Sequence, residues 1–212
     1  MKHVSPVEKI SFAFIAFAGC LIGARIFYSD SMMYIFLLWN LFLAWIPFQL
    51  SKLLAGEKDI KIFSAALFIG WLLFFPNSLY IVTDLMHLKL ETKVPVWYDA
   101  LLILSAAIAG LILAFASLYK VEIFLRQFVK QRYADAIILM CLFLGAFGVY
   151  LGRFQRWNSW NVTNHPRGLL ISVVKLFVFP FNYFHAWAFT FVFAGFVFLL
   201  FIPVKYVWKI KL

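Results

Sequence analysis

Six stretches of this chain run apolar for close to the ~20 residues that a helix needs to cross the hydrocarbon layer of a membrane. They cover about Ile10 to Phe27, Met32 to Leu54, Ile62 to Tyr80, Val96 to Tyr119, Ala134 to Leu151 and Ala186 to Val204. No water reaches the backbone inside that layer, so its polar groups must bond within the segment, and runs of this length form helices. Composition agrees. Of the residues, 65% are hydrophobic and 13% charged, far from the roughly 45–50% apolar and one-quarter charged of soluble domains. The expected fold is all-α: a polytopic transmembrane helical bundle of six spans, one domain over residues 1–212.

A further apolar stretch, Leu169 to Phe181, is broken by Ser172 and Lys175 and ends at Pro180. It is too short to cross alone and reads as a short interfacial or re-entrant segment. Were it to cross, the count would become seven and the C-terminus would change sides. Asn40 and Pro47 in the second span, and Pro76 in the third, are tolerated where neighbouring helices satisfy the freed groups.

With six spans the basic residues fall into two sets. One side holds Lys2, Lys9, Lys52, Lys58, Lys61, Lys120, Arg126, Lys130, Arg132, Lys205, Lys209 and Lys211; the other holds Arg25, Lys89, Lys93, Arg153, Arg156, Arg167 and Lys175. The larger set belongs inside, so both termini are expected in the cytoplasm of a cell whose inner (plasma) membrane holds the protein. The net charge of +10 lies in short loops beside apolar spans, which suits anionic lipid headgroups and not nucleic acid. The run Ala18-Gly19-Cys20 faintly resembles a lipoprotein cleavage site, but the apolar stretch continues to Arg25, as an uncut first span would. Cys20 and Cys141 both lie in apolar runs and make no disulfide framework.

Chemically unusual residues gather in two blocks. In FFPNSLYIVTDLMHL, Phe74 to Leu88, an α-helix would set Asn77, Tyr80, Asp84 and His87 along one stripe. Pro76 should kink the helix there and free a carbonyl. In GVYLGRFQRWNSWN, Gly148 to Asn161, continued helix would place Tyr150, Arg153 and Trp157 on one face and pair Arg156 with Trp160, beside Asn158. Arginine presents a planar fork of donors suited to carboxylate or phosphate and stacks on aromatic rings. Asp84 and Asp99 are the anions expected on the same side, with Asp30 and Glu91 in open loops. Each block also has a plain reading: a helix emerging into water, or an aromatic belt with snorkelling arginines. His87, His165 and His185 share that side without any paired-histidine motif, so no metal ligands are assigned. Ser78 and Ser159 lack a nucleophile motif.

Together with LLWNLFLAWIP, Leu37 to Pro47, these two blocks resemble the signature segments of an uncharacterised prokaryotic family of integral membrane proteins, domain of unknown function 1361. The resemblance covers nearly the whole chain and implies that Trp39, Asn40 and Pro47 belong to the motif with the residues above. It also implies an acidic residue where this chain has Asn161, and carries no activity or cofactor with it. Three functions stay open. Arg153 and Arg156, flanked by Trp157 and Trp160, could bind or transport an anionic, lipid-headgroup or phosphate-bearing ligand. His87 could act as general base in a lipid- or glycan-modifying enzyme, oriented by Asp84 or Asp99. The aromatic rim could dock another membrane protein. The first is favoured, on the expectation that the blocks converge on the outer side.

Overall fold

The computed structural model describes residues 6–89 and 93–210, without the side chains of Val7 and 208–210. Lys2, Glu91 and Lys211, used in the charge assignments, lie outside the described residues, as does the side chain of Lys209. Among the described residues the chain forms α1 (Pro6–Ser29), α2 (Phe36–Ala55), α3 (Ile62–Tyr80), a 3₁₀ helix (Ile81–His87), α4 (Val96–Arg126), α5 (Gln131–Gln155), α6 (Asn161–Asn164), α7 (Pro166–Val178) and α8 (Phe184–Ile210), with no strand. Six helical stretches are long and apolar enough to cross a membrane: α1, α2, α3 with its 3₁₀ extension, α4, α5 and α8. The 13 residues of α7 reach about 20 Å at 1.5 Å per residue, well short of the ~30 Å layer.

These elements form two compact units, Met1–Phe124 and Leu125–Leu212. In the first, α2 and α3 run antiparallel. Ser78 Oγ donates to the Ala44 carbonyl at 2.9 Å, and Asn40 reaches Asp84 one turn further along. The Ser78 bond falls beside Pro47, where α2 lacks one backbone donor. Phe48, Trp71, Phe75 and Leu79 are fully buried. Between membrane helices burial gains little over contact with lipid tails, so close fit and hydrogen bonds hold the unit together. α4 meets that need with small buried residues, Ala106, Ala107, Ala109, Gly110, Ala114 and Ser117. At Gly110 a Cβ would lie 2.8 Å from the Ser78 carbonyl oxygen, so only glycine admits α3 this closely. Further along the same helix, the Trp71 indole N–H donates to Ser117 Oγ at 3.2 Å.

The second unit is built on α5 and α8, with α7 laid against them. Phe147, Leu176 and Ala186 form its buried centre, and Tyr150, Leu151, Val173, Tyr183 and Trp187 pack around it. Trp187 fixes α7 in two ways: its indole N–H donates to the Leu176 carbonyl at 3.1 Å, and its ring meets Phe177 edge-on at 4.9 Å. The other end of the α5–α8 pair is joined by Lys205 Nζ to Asp135 Oδ1 at 2.9 Å.

Candidate functional site

The first unit encloses a charged network. Arg25, in the last turns of α1, donates from Nε to Asp99 Oδ1 at 2.7 Å and from Nη2 to Asp99 Oδ2 at 3.1 Å. The two side chains are 2% and 0% exposed. Further contacts wrap the guanidinium: Ser29 Oγ at 3.4 Å, Met33 Sδ at 3.7 Å, and the face of Tyr34 at 4.7 Å from the ring centre. Both carboxylate oxygens of Asp99 are therefore committed to one fork, the geometry that makes arginine pairs strong. Tyr34 connects this pair to the next turn, because its hydroxyl donates to the His87 carbonyl at 3.3 Å. Burial, and after it the charge of Asp99, pushes the Tyr34 hydroxyl above its ordinary value, so the ring stays neutral.

Asp84 is fully buried and accepts from Asn40 Nδ2 at 2.8 Å. The expected α-helical stripe is not how it gets there. The backbone tightens into the 3₁₀ helix at Ile81, after which Asp84 points into the unit while His87 is exposed, edge-on to Phe36 at 5.4 Å. Asn77 donates to the Phe74 carbonyl at 3.0 Å, in the turn that holds Pro76, and Thr83 Oγ1 donates to the Tyr80 carbonyl at 2.6 Å. Tyr80 is half-buried at the junction of the two helix types. Trp39 points away from its neighbour Asn40, 55% exposed, with its ring against Phe42.

In the second unit α5 continues past Leu151 and carries Arg153 in its last turn. A cation there complements the negative end of the helix dipole. The continued helix expected beyond that point does not form, and the expected Arg153–Trp157 face and Arg156–Trp160 pair are corrected by this. α5 stops at Gln155, and Arg156 adopts the left-handed conformation, φ 59° and ψ 30°. The Trp157 N–H then reaches back six residues to the Leu151 carbonyl at 3.0 Å, which the Arg156 N–H also approaches, and so closes the helix end. Arg156 is exposed. The Trp157 ring lies over Gly168, where a Cβ would meet Cη2 at 2.9 Å, so the start of α7 leaves room for the indole.

The following turn is held by Asn161, whose Oδ1 accepts from the Asn158 N–H at 2.6 Å. An acidic residue at 161 would offer the same acceptor with a charge; asparagine keeps the bond and drops the charge. Asn158 is exposed and Trp160 is 39% exposed. Tyr150 sits among aromatic rings, 5.1 Å from Phe154 and 6.0 Å from Phe189.

Two residues of the enclosed network escape a reading of the sequence blocks. Arg25 ends an apolar span and looks like an ordinary flanking cation, although span counting already puts it on the same side as Asp99. Tyr34 lies in a short turn with no motif around it. Among the described residues no three His, Cys, Asp or Glu side chains gather as a metal-ligating group.

A chain whose described residues are helical, with six helices long and apolar enough to cross a membrane, is a multi-pass integral membrane protein. Residues 39–202 match the family described as "Protein of unknown function (DUF1361)", and the chain belongs to that family. No curated protein and no solved structure matches it.

Proposed function

We propose that this protein binds or transports an anionic ligand, a lipid headgroup or another phosphate-bearing molecule, on the extracytoplasmic face of the membrane. Arg153 and Arg156 supply the recognition, and Trp157, Asn158 and Trp160 form its flanks. The observation that carries this reading is the left-handed backbone at Arg156. That conformation costs a non-glycine residue about 1–2 kcal/mol, and glycine normally occupies it at a helix end. A long, exposed cation held there against the local preference points to a use for its side chain. The neighbouring Trp157 is held at two places, by its backbone N–H on the Leu151 carbonyl and by its ring against Gly168, so the fork stands beside a fixed aromatic wall.

The enclosed Asp99–Arg25 pair and the Asp84–Asn40 bond support the same class of function. Ionisable side chains inside a membrane protein commonly mark a pathway or a ligand-responsive element. The catalytic reading is weakened by Asp99, whose two oxygens are both taken by Arg25. The excess of lysine and arginine in one set of loops supports cytoplasmic termini.

The test is native mass spectrometry of the detergent-purified protein with short-chain phosphatidic acid. Arg153→Lys with Arg156→Lys preserves both charges and removes both forks. At least a tenfold loss of bound phosphatidic acid is expected. Undiminished binding would refute the recognition role of the forks.

A further inference from the structure

The second unit contains a cavity of about 340 Å³ between the start of α5 and the end of α8. Its walls are graded. Gln131, Asp135 and Lys205 line the end where the helices begin and finish, and Ile138, Phe198 and Ile202 line the deeper region beyond it. Asp135 and Lys205 are hydrogen-bonded at 2.9 Å across the mouth. The mouth is roughly 20 residues of α5 from Arg156, about 30 Å along the helix axis, so this cavity is separate from the arginine–tryptophan block.

We infer that this groove holds one phospholipid with an anionic headgroup, its phosphate at Lys205 and Gln131 and an acyl chain along Ile138, Phe198 and Ile202. The inference does not depend on the proposed function of the other block. Three observations carry it. The polar-to-apolar gradient follows the direction in which a lipid passes from headgroup to tail. The wall is open at Leu139 and Tyr206, which are 47% and 66% exposed, so an acyl chain can enter from the side. The rim is basic, with Lys130 and Arg132 exposed on either side of Gln131, and anionic headgroups are drawn to such juxtamembrane cations.

Native mass spectrometry separates the outcomes, using phosphatidylglycerol and phosphatidylcholine of equal chain length added to the delipidated full chain. Phosphatidylglycerol should be retained at least fivefold over phosphatidylcholine. Lys205→Gln should abolish that preference. Leu139→Trp, a change at an exposed wall, should fill the groove and remove the adducts of both lipids. Thermal unfolding of each variant confirms that it remains folded. Inorganic phosphate at a hundredfold excess should displace none of the lipid. Equal retention of the two lipids, wild-type adducts on Leu139→Trp, or displacement by free phosphate would each overturn the assignment.

Discussion

Tyr34 shows how one side chain can serve two partners: its ring lies under the Arg25 guanidinium and its hydroxyl donates to the His87 carbonyl. Replacing it with phenylalanine keeps the first contact and loses the second. Tyr34→Phe should cost about 1 kcal/mol, measured by unfolding in detergent. The same variant has a pH signature. The Tyr34 pKa is raised in the folded protein, so near and above the ordinary tyrosine value of about 10 the folded chain keeps a proton that the unfolded chain has released. Stability is then intact below that pH and falls as pH rises through it. Tyr34→Phe should show a shallower alkaline loss; an unchanged slope would mean that Tyr34 does not contribute. The network around it was only half legible in the chain. Asp84 and Asp99 stood out as acids within apolar surroundings, whereas Arg25 resembled any cation at a span end.

At the scale of elements, the Arg25–Asp99 pair ties α1 to α4. Removing one member leaves the other enclosed without compensation, which typically costs about 3–5 kcal/mol, whereas replacing both with apolar residues of similar volume is often neutral. Asp99→Asn should therefore lower stability by about 3 kcal/mol or more, and Arg25→Met with Asp99→Leu should recover most of it. A fully stable Asp99→Asn would show that the pair does not join the helices. Gly110 governs the approach of α3 to α4. Alanine is the better helix former by about 1 kcal/mol, but its Cβ would collide with the Ser78 carbonyl. Gly110→Ala should destabilise by about 1–3 kcal/mol; a stabilised variant would mean that the helices can part freely. Helix ends were the least legible elements. The reversal at Arg156 follows no glycine or proline, so the sequence around it reads as continuing helix, and its one local signal is the Asn158–Asn161 turn chemistry. The 3₁₀ tightening at Ile81 is hidden in the same way, because Pro76 announces a bend but not where the tighter helix begins.

Across the whole molecule, the number and type of the spans were plain from apolar run length, since a membrane admits few other solutions. Sidedness rests on charge counting and is open to direct measurement. In a background lacking Cys20 and Cys141, cysteines at 153 and 175 should react with a membrane-impermeant thiol reagent applied to intact cells. A cysteine at 58 should react only after permeabilisation, and one at the buried position 84 should react slowly on either side. Labelling of 58 and 175 from the same side would reverse part of this topology. Function was the least legible level: side-chain chemistry names a ligand class, and neither the fold nor the family supplies a reaction.

The most direct measurement pairs stability with binding in Arg156→Gly. Glycine relieves the left-handed backbone, so the variant should unfold about 1 kcal/mol harder than the parent, while its phosphatidic acid binding falls at least tenfold. A variant that is equally stable or more stable and binds as well as the parent would contradict the assignment of Arg156 to ligand recognition.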